Sequence, residues 1–318
     1  MIRVLELFAG IGAVRKALQN QNIDFEIVGI SEIDKYAVQS YTQLYGETQN
    51  FGDITKIDIN TLPDFDLLVY GFPCQDISVA GDQKGLDENS GTRSSLLWSA
   101  VNIIRKKRPK YLIMENVKNL VGKTHKKNFE KYLKVLEELG YSSSYKILNA
   151  NHFGVPQNRE RVICVSILDE TAPILSEGLI TNKVIRDVAE DEIEEKYFMD
   201  KPFIPHAPTS NKESGLICVG DLDMKATESI KRVYSKDGTC PTLTTMGGGH
   251  REPKILEDDG RVRKLTPKEC WRLMGFSDED FEKVKNLSNT QLYKQAGNSI
   301  CVPVMESVLR DLLKREED

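Results

Sequence analysis

Through the first half of the chain, short apolar runs alternate with stretches of helical spacing. Runs at Val4–Phe8, Ile27–Ser31, Leu67–Tyr70, Tyr111–Met114, Ser144–Asn149 and Arg161–Leu168 predict strands. Between them, Val14–Gln21, Lys35–Tyr45, Ser95–Lys106 and Phe129–Leu139 repeat apolar residues every three to four positions and predict helices. Strands separated by helices predict an α/β fold, a doubly wound and mostly parallel sheet covered on both faces. Ligands of such sheets lie beyond the carboxyl ends of the strands, so the loops that follow them are where chemistry is expected.

After Glu170 the texture changes. Prolines gather at 173, 202, 205, 208, 241 and 253, and helical spacing is lost until about Thr266. This predicts a smaller, loop-and-strand-rich second domain. The expected boundaries are 1–178 for the first domain, 179–295 for the second, and 296–318 for a segment whose helix, Val302–Arg315, returns to the first.

Composition narrows the class. With 40% hydrophobic and 29% charged residues the chain reads as an ordinary globular protein. No apolar run reaches the ~18–20 residues of a membrane span, and an apolar strand rather than a leader opens the sequence, so a cytoplasmic location without membrane contact is expected. The six cysteines form no CxxC pair, which leaves no zinc or disulfide framework, and no metal is expected. A net charge of −5 argues against a protein that coats nucleic acid, yet charge is patterned locally. From Val101 to Lys134 stand eleven Lys or Arg against two Glu, and both a solvated helix face and a phosphate-facing stripe fit that run.

Three loops suggest a nucleoside site. The first strand ends in Phe8-Ala9-Gly10-Ile11-Gly12, whose glycines let backbone approach a ligand ahead of a helix. Arg15 stands where a dinucleotide fingerprint would place a third glycine. Glu32 follows the second strand, where ribose hydroxyls are gripped, and Asp53 offers a further acid suited to an exocyclic amine, although a turn or cap role fits Asp53 alone. The strand Leu67–Tyr70 then runs into Gly71-Phe72-Pro73-Cys74-Gln75, and the next strand delivers Glu115-Asn116-Val117 to the same edge. A thiolate and a carboxyl at adjacent strand tips suit addition to an electron-poor ring. Asp76–Thr92, with Gly81, Gly85 and Gly91, reads as a lid.

These blocks, with Gln157-Asn158-Arg159-Glu160-Arg161, Arg263 to Phe276, and Gln295-Ala296-Gly297-Asn298-Ser299, occur in the order seen in C5-cytosine DNA methyltransferases, and the chain resembles that family over nearly its whole length. The resemblance implies the methyltransferase type of doubly wound fold with a target-recognition domain. It implies S-adenosyl-L-methionine as cofactor, S-adenosyl-L-homocysteine as product, and methylation of carbon 5 of a cytosine flipped out of duplex DNA. Cys74 would attack carbon 6 of that base, Glu115 would hold its ring nitrogen and amine, and Arg161, with Arg159, would bind near its carbonyl oxygen or order the loop.

For the cofactor, the same resemblance points to Phe8, Gly10 and Gly12 on the methionine side, Glu32 at the ribose, and Ile33, Asp53 and Ile54 at the adenine. Pro73, Leu96, Asn298 and Ser299 would be further walls. Glu6 departs from the family's usual Asp, and Ile33 stands where an aromatic residue is common. DNA contacts are expected from Gln75 and Ser78 and, in the recognition region, from Arg232, Thr242, Leu243, Gly248 and Arg251. A monomeric prokaryotic or phage modification enzyme is expected, with a cognate restriction endonuclease as a possible partner.

Three rivals are weaker. The transfer-RNA branch of the family carries a Cys-Phe-Thr signature that is absent here. A non-catalytic DNA-binding protein would not need Cys74, Glu115 and Arg161 together. A nicotinamide dehydrogenase is disfavoured by Arg15.

Overall fold

The computed structural model of the chain describes residues 1–73, 96–211 and 214–313. Cys74, Gln75, Ser78 and the whole Asp76–Thr92 stretch lie outside the described residues, as do Ser95 and the positions after Leu313.

Strands and helices alternate as β1 (Ile2–Leu7), α1 (Ala13–Asn20), β2 (Phe25–Ser31), α2 (Lys35–Tyr45), β3 (Leu67–Tyr70), α3 (Leu96–Lys107), β4 (Tyr111–Val117), α4 (Lys126–Glu138) and β5 (Tyr141–Asn149). A two-residue β6 (Gln157–Asn158) precedes β7 (Glu160–Leu168). Among the described residues one sheet of six strands has the order β2-β1-β3-β4-β7-β5. The pairs β1 with β2, β1 with β3, and β3 with β4 are parallel, whereas β7 runs antiparallel to β4. The apolar runs form strands because both their faces are covered: every side chain of Leu67–Tyr70 is buried, as are Tyr111–Met114. The order reverses between β1 and β3, and ligands of open α/β sheets lie at such a reversal.

Boundaries shift where the sequence gives little signal. β4 runs on to Val117, so Glu115 and Asn116 belong to the strand itself. β5 begins at Tyr141 because Ser142–Ser144, poor strand formers by themselves, are held by cross-strand pairing; the hydroxyls of Ser143 and Ser166 lie 2.8 Å apart. α4 starts at Lys126, three residues before Phe129, the first buried apolar side chain of its stripe. No helix among the described residues is long and apolar enough to cross a membrane.

Beyond Leu168 come β8 (Phe203–Ser210), β9 (Ile217–Leu222), α5 (Glu228–Lys231), β10 (Arg232–Ser235), β11 (Cys240–Pro241), β12 (Lys254–Leu256) and β13 (Val262–Lys264). Then follow α6 (Pro267–Arg272), α7 (Asp278–Val284), α8 (Asn289–Asn298) and α9 (Val302–Leu313). A second sheet has the order β13-β12-β10-β9-β8, and β6 pairs in parallel with β11. The chain divides into two compact units, 1–148 with 160–177 and 305–318, and 149–159 with 178–304. It therefore leaves the second unit between Arg159 and Glu160, inside a single sequence motif.

In the second unit, Thr266 caps α6 by accepting from the Glu269 amide, and Pro267 occupies the first helical turn. Glu269 also forms a fully buried, two-pronged ion pair with Arg263, at 2.7 and 2.8 Å. Gly297 approaches a neighbouring backbone so closely that a Cβ there would lie 1.8 Å from the Thr244 carbonyl oxygen. Gly297→Ala should therefore cost about 1–3 kcal/mol, whereas Gly247→Ala, with nothing within 4 Å, should cost well under that. Equal denaturation midpoints for the two variants would contradict this packing.

Candidate active site

Strand register builds the catalytic edge. In the antiparallel pair β4–β7, Val117 faces Arg161 and Glu115 faces Ile163. Residues two apart share a face, so Glu115 and Arg161 are diagonal neighbours on one side of the sheet. Arg161 Nε lies 3.1 Å from Glu115 Oε1, with both side chains largely buried, and one of its terminal nitrogens donates to the Glu160 carbonyl at 2.8 Å. Asn116 points to the other face and is buried. Its Nδ2 donates to the Phe72 carbonyl at 3.0 Å and its Oδ1 accepts from the Val117 amide at 2.9 Å. That bond ties the exit of β3, which leads through Pro73 into Cys74, to the strand carrying Glu115. Asn116 was visible as part of its motif, but nothing in the sequence reveals its partner.

The loops after β1 and β2 are knitted into one cradle. Phe8, Gly10 and Gly12 have left-handed φ values of 56°, 56° and 74°; for Phe8 this is an uncommon conformation that ligand sites often impose. Glu32 Oε2 accepts from the Gly10 amide at 2.9 Å, and Oε1 accepts from the amides of Ile33 and Asp34 at 2.8 and 2.7 Å. A carboxylate has about four acceptor directions, so these bonds leave one on Oε2 for a hydroxyl. Asn50 joins in, donating to the Glu32 carbonyl at 3.0 Å and accepting from the amides of Glu32 and Gly52. Ile33, at 77% exposed, is an apolar surface beside this cradle that no core covers.

Asp53 does not stand at the tip of a sheet strand. Its segment follows an isolated bridge between Ile30 and Asn50, and Asp53 Oδ1 caps a short helical turn by accepting from the Thr55 amide and hydroxyl. Those bonds, the amide first, hold its carboxyl below the usual range. Ile54 turns its side chain into the core, and Leu96 and Phe8 pack against that core from its rim.

The residues beneath the glycines were not singled out by sequence beyond Glu6 and Arg15. Glu6 is buried, accepts from the Tyr41 hydroxyl at 2.6 Å and from the Arg15 amide at 3.3 Å, and has its pKa raised, foremost by burial. The Arg15 guanidinium lies over the rings of Tyr45 and Tyr41, at 4.8 and 5.5 Å, and donates to Thr48. A Cβ at Gly12 would stand 2.6 Å from the Tyr45 ring and 2.7 Å from Tyr41. Arg15 thus packs α1 onto α2 where a dinucleotide site would have a glycine; the tyrosines four apart on α2 were the available signal.

Two of the expected site residues serve the protein's own backbone or core. Arg159, in the second unit, is buried and donates to the carbonyls of Leu243, Gly297 and Ser299 at 3.0, 2.9 and 2.7 Å. Its guanidinium orders backbone, the second of its two expected roles. Leu243 has a buried side chain and an amide donating to Gln157 Oε1 at 3.2 Å, so it offers DNA no side chain. Thr242 donates its hydroxyl to the Asn158 carbonyl at 2.6 Å. Arg232, Gly248 and Arg251 are exposed, as is Asn298 at the end of α8, while Ser299 is buried.

The basic run also sorts out. Arg105 to Lys110 lie where β4 starts, and Lys107 and Lys110 pair with Asp64 and Glu170. Lys118, Lys123, Lys126 and Lys127 lie where β4 ends, the edge that carries Glu115.

The six-stranded, mostly parallel sheet, with a glycine cradle and a paired carboxylate at its strand tips, is of the S-adenosylmethionine-dependent methyltransferase type. The family model for C-5 cytosine-specific DNA methylases matches residues 2–314, and the chain belongs to that family. Type II methyltransferase M2.ScrFI of Lactococcus lactis subsp. cremoris is 40% identical over 99% of this chain and 100% of its own. Orphan methyltransferase M.SPBetaI of Bacillus phage SPbeta is 34% identical over 98% and 97%. Among solved structures, the S. pombe Dnmt2 methyltransferase superposes with a TM-score of 0.77 at 22% identity, covering 100% of both chains.

Proposed function

We propose that the chain methylates carbon 5 of a cytosine rotated out of a specific duplex DNA site, through a covalent bond between Cys74 and carbon 6. The observation that carries this reading is the Asn116–Phe72 bond beside the Glu115–Arg161 pair, because it fastens the turn that leads to Cys74 against the strand bearing the carboxylate. The first unit supplies catalysis and the second target recognition. Duplex DNA is the partner of a single cytoplasmic chain, and a restriction endonuclease of the same site is a natural companion.

The cradle fits S-adenosyl-L-methionine. Gly10 has open space where a Cβ would stand, Glu32 keeps one acceptor direction for the ribose, and Ile33 offers an apolar surface to the adenine. Asp53, Ile54, Pro73, Leu96, Asn298 and Ser299 complete the proposed set. When bound, this cofactor supplies an electrophilic methyl group and leaves as S-adenosyl-L-homocysteine.

The chain's own groups do the rest. The Cys74 thiolate adds to carbon 6 and pushes its electron pair into the ring, which makes carbon 5 nucleophilic. Glu115, held by Arg161, anchors ring nitrogen 3 and the exocyclic amine. Once carbon 5 carries the methyl group, transfer of its proton to solvent water returns the electron pair to the ring and expels the thiolate. Extracting the base costs a few kcal/mol, offset by contacts in the pocket.

Duplex DNA with 5-fluorocytosine at the target should trap a denaturation-resistant adduct when the cofactor is present, because fluorine cannot leave as a proton does. The target is first located by bisulfite sequencing of DNA from expressing cells. No adduct at a verified target would rule out the covalent route.

A further inference from the structure

The loop from Gly247 to Arg251 has features that packing does not require. Gly248, Gly249 and His250 take left-handed φ values of 93°, 67° and 59°. At Gly247, Gly248 and Gly249 an added Cβ would meet nothing within 4 Å, the opposite of the crowding at Gly297. Conformation accounts for two of these glycines; the open space before all three leaves room for another molecule to approach the backbone. Met246, just ahead of them, is buried and anchors the loop.

Behind the loop sits Lys254, the first residue of β12, an interior strand between β10 and β13. Its side chain is 2% exposed. The ammonium donates to the carbonyls of His250 and Glu252, the latter at 2.9 Å. Those two carbonyls bracket Arg251, whose side chain is exposed. Burying an ammonium on neutral carbonyls is costly, and a methionine of similar volume would fill the space without that cost. Fixing the bracketed backbone is a return that only the ammonium gives.

We propose that Lys254 is a positioning residue for DNA-sequence discrimination, holding the carbonyls of the residues on either side of Arg251 so that its guanidinium meets a base edge in one orientation. The proposal rests on the reading that this loop faces DNA.

Discrimination is measured as the ratio of kcat/KM for the cognate duplex to that for duplexes altered at one base pair. Arg251→Ala should lower the ratio about 5- to 150-fold at one position. Lys254→Met should lower it at the same position, about tenfold, with cognate kcat and cofactor Kd within about threefold of wild type. The double variant should be no worse than Arg251→Ala, because the two residues act as one unit. A merely structural lysine would depress activity on every duplex alike and leave the ratio unmoved, which would overturn the proposal. If Arg251→Ala leaves every ratio unchanged, the reading of the loop fails and the positioning role falls with it. If only Lys254→Met leaves them unchanged, the positioning role alone fails.

The wild-type enzyme gives a second test that needs no substitution. Burial pulls the Lys254 ammonium down to about 8, opposed by Glu252 and reinforced by Lys264 on β13. Below that value the charge is present; above it the amine keeps two N–H groups but loses the charge that strengthens both bonds. The ratio at that base pair should therefore fall between pH 7 and pH 9, roughly one unit either side of that value. Titrations common to both substrates, Cys74 included, cancel in the ratio. A flat ratio across this window overturns the proposal.

Discussion

Cys74→Ser is expected to lower single-turnover methyl transfer by about four orders of magnitude or more while leaving DNA and cofactor binding within a few-fold. The thiol is a few per cent thiolate at neutral pH even unperturbed, and a thiolate is intrinsically far more nucleophilic than a serine hydroxyl. Steric change is small, so the turn tied down by the Asn116–Phe72 bond should persist. The fluorinated duplex that traps the wild type should yield no adduct with this variant. Turnover within a hundredfold of wild type would remove Cys74 from the mechanism.

The second large effect is expected at Glu115. Glu115→Gln should lower kcat at saturating DNA about 10²- to 10⁴-fold, the range for a positioned acid or base. The amide oxygen can still accept from Arg161 Nε, now 3.1 Å from the carboxylate, so the β4–β7 register should survive and the loss should report chemistry. Arg161→Ala should act in the same direction, and its combination with Glu115→Gln should be less than multiplicative, since each residue works through the other. A kcat within tenfold of wild type for Glu115→Gln would place the reacting base elsewhere.

Much of this edge was legible because its strands are buried on both faces. Leu67–Tyr70 and Tyr111–Met114 can hardly be anything but interior strands, and the motifs follow them directly. What stayed hidden depends on contacts between residues far apart in sequence. The two-residue β6 has no periodicity to detect and exists only because β11 lies beside it, about 80 residues later. Arg159 and Arg161 stand two positions apart in one motif, yet one serves backbone carbonyls in the second unit and the other a carboxylate in the first. Leu243, expected to contact DNA, is a core residue; a short motif shows that a position matters without showing whether packing or contact is the reason. Asp53 took the cap role that its sequence context also allowed.

The return of α9 to the first unit bears on how the chain is made. Met305, Val308, Leu309 and Leu312 are all buried, so they help close a core whose other parts precede residue 178. During synthesis at ~5–20 residues per second, the segment between Glu177 and Met305 takes roughly 6–26 s to emerge. Over that interval the nascent first unit lacks its last apolar cover, while helices and hairpins form in microseconds. The second unit is thus positioned to assemble first as a completed body, and the first unit stays without its last apolar cover until α9 emerges.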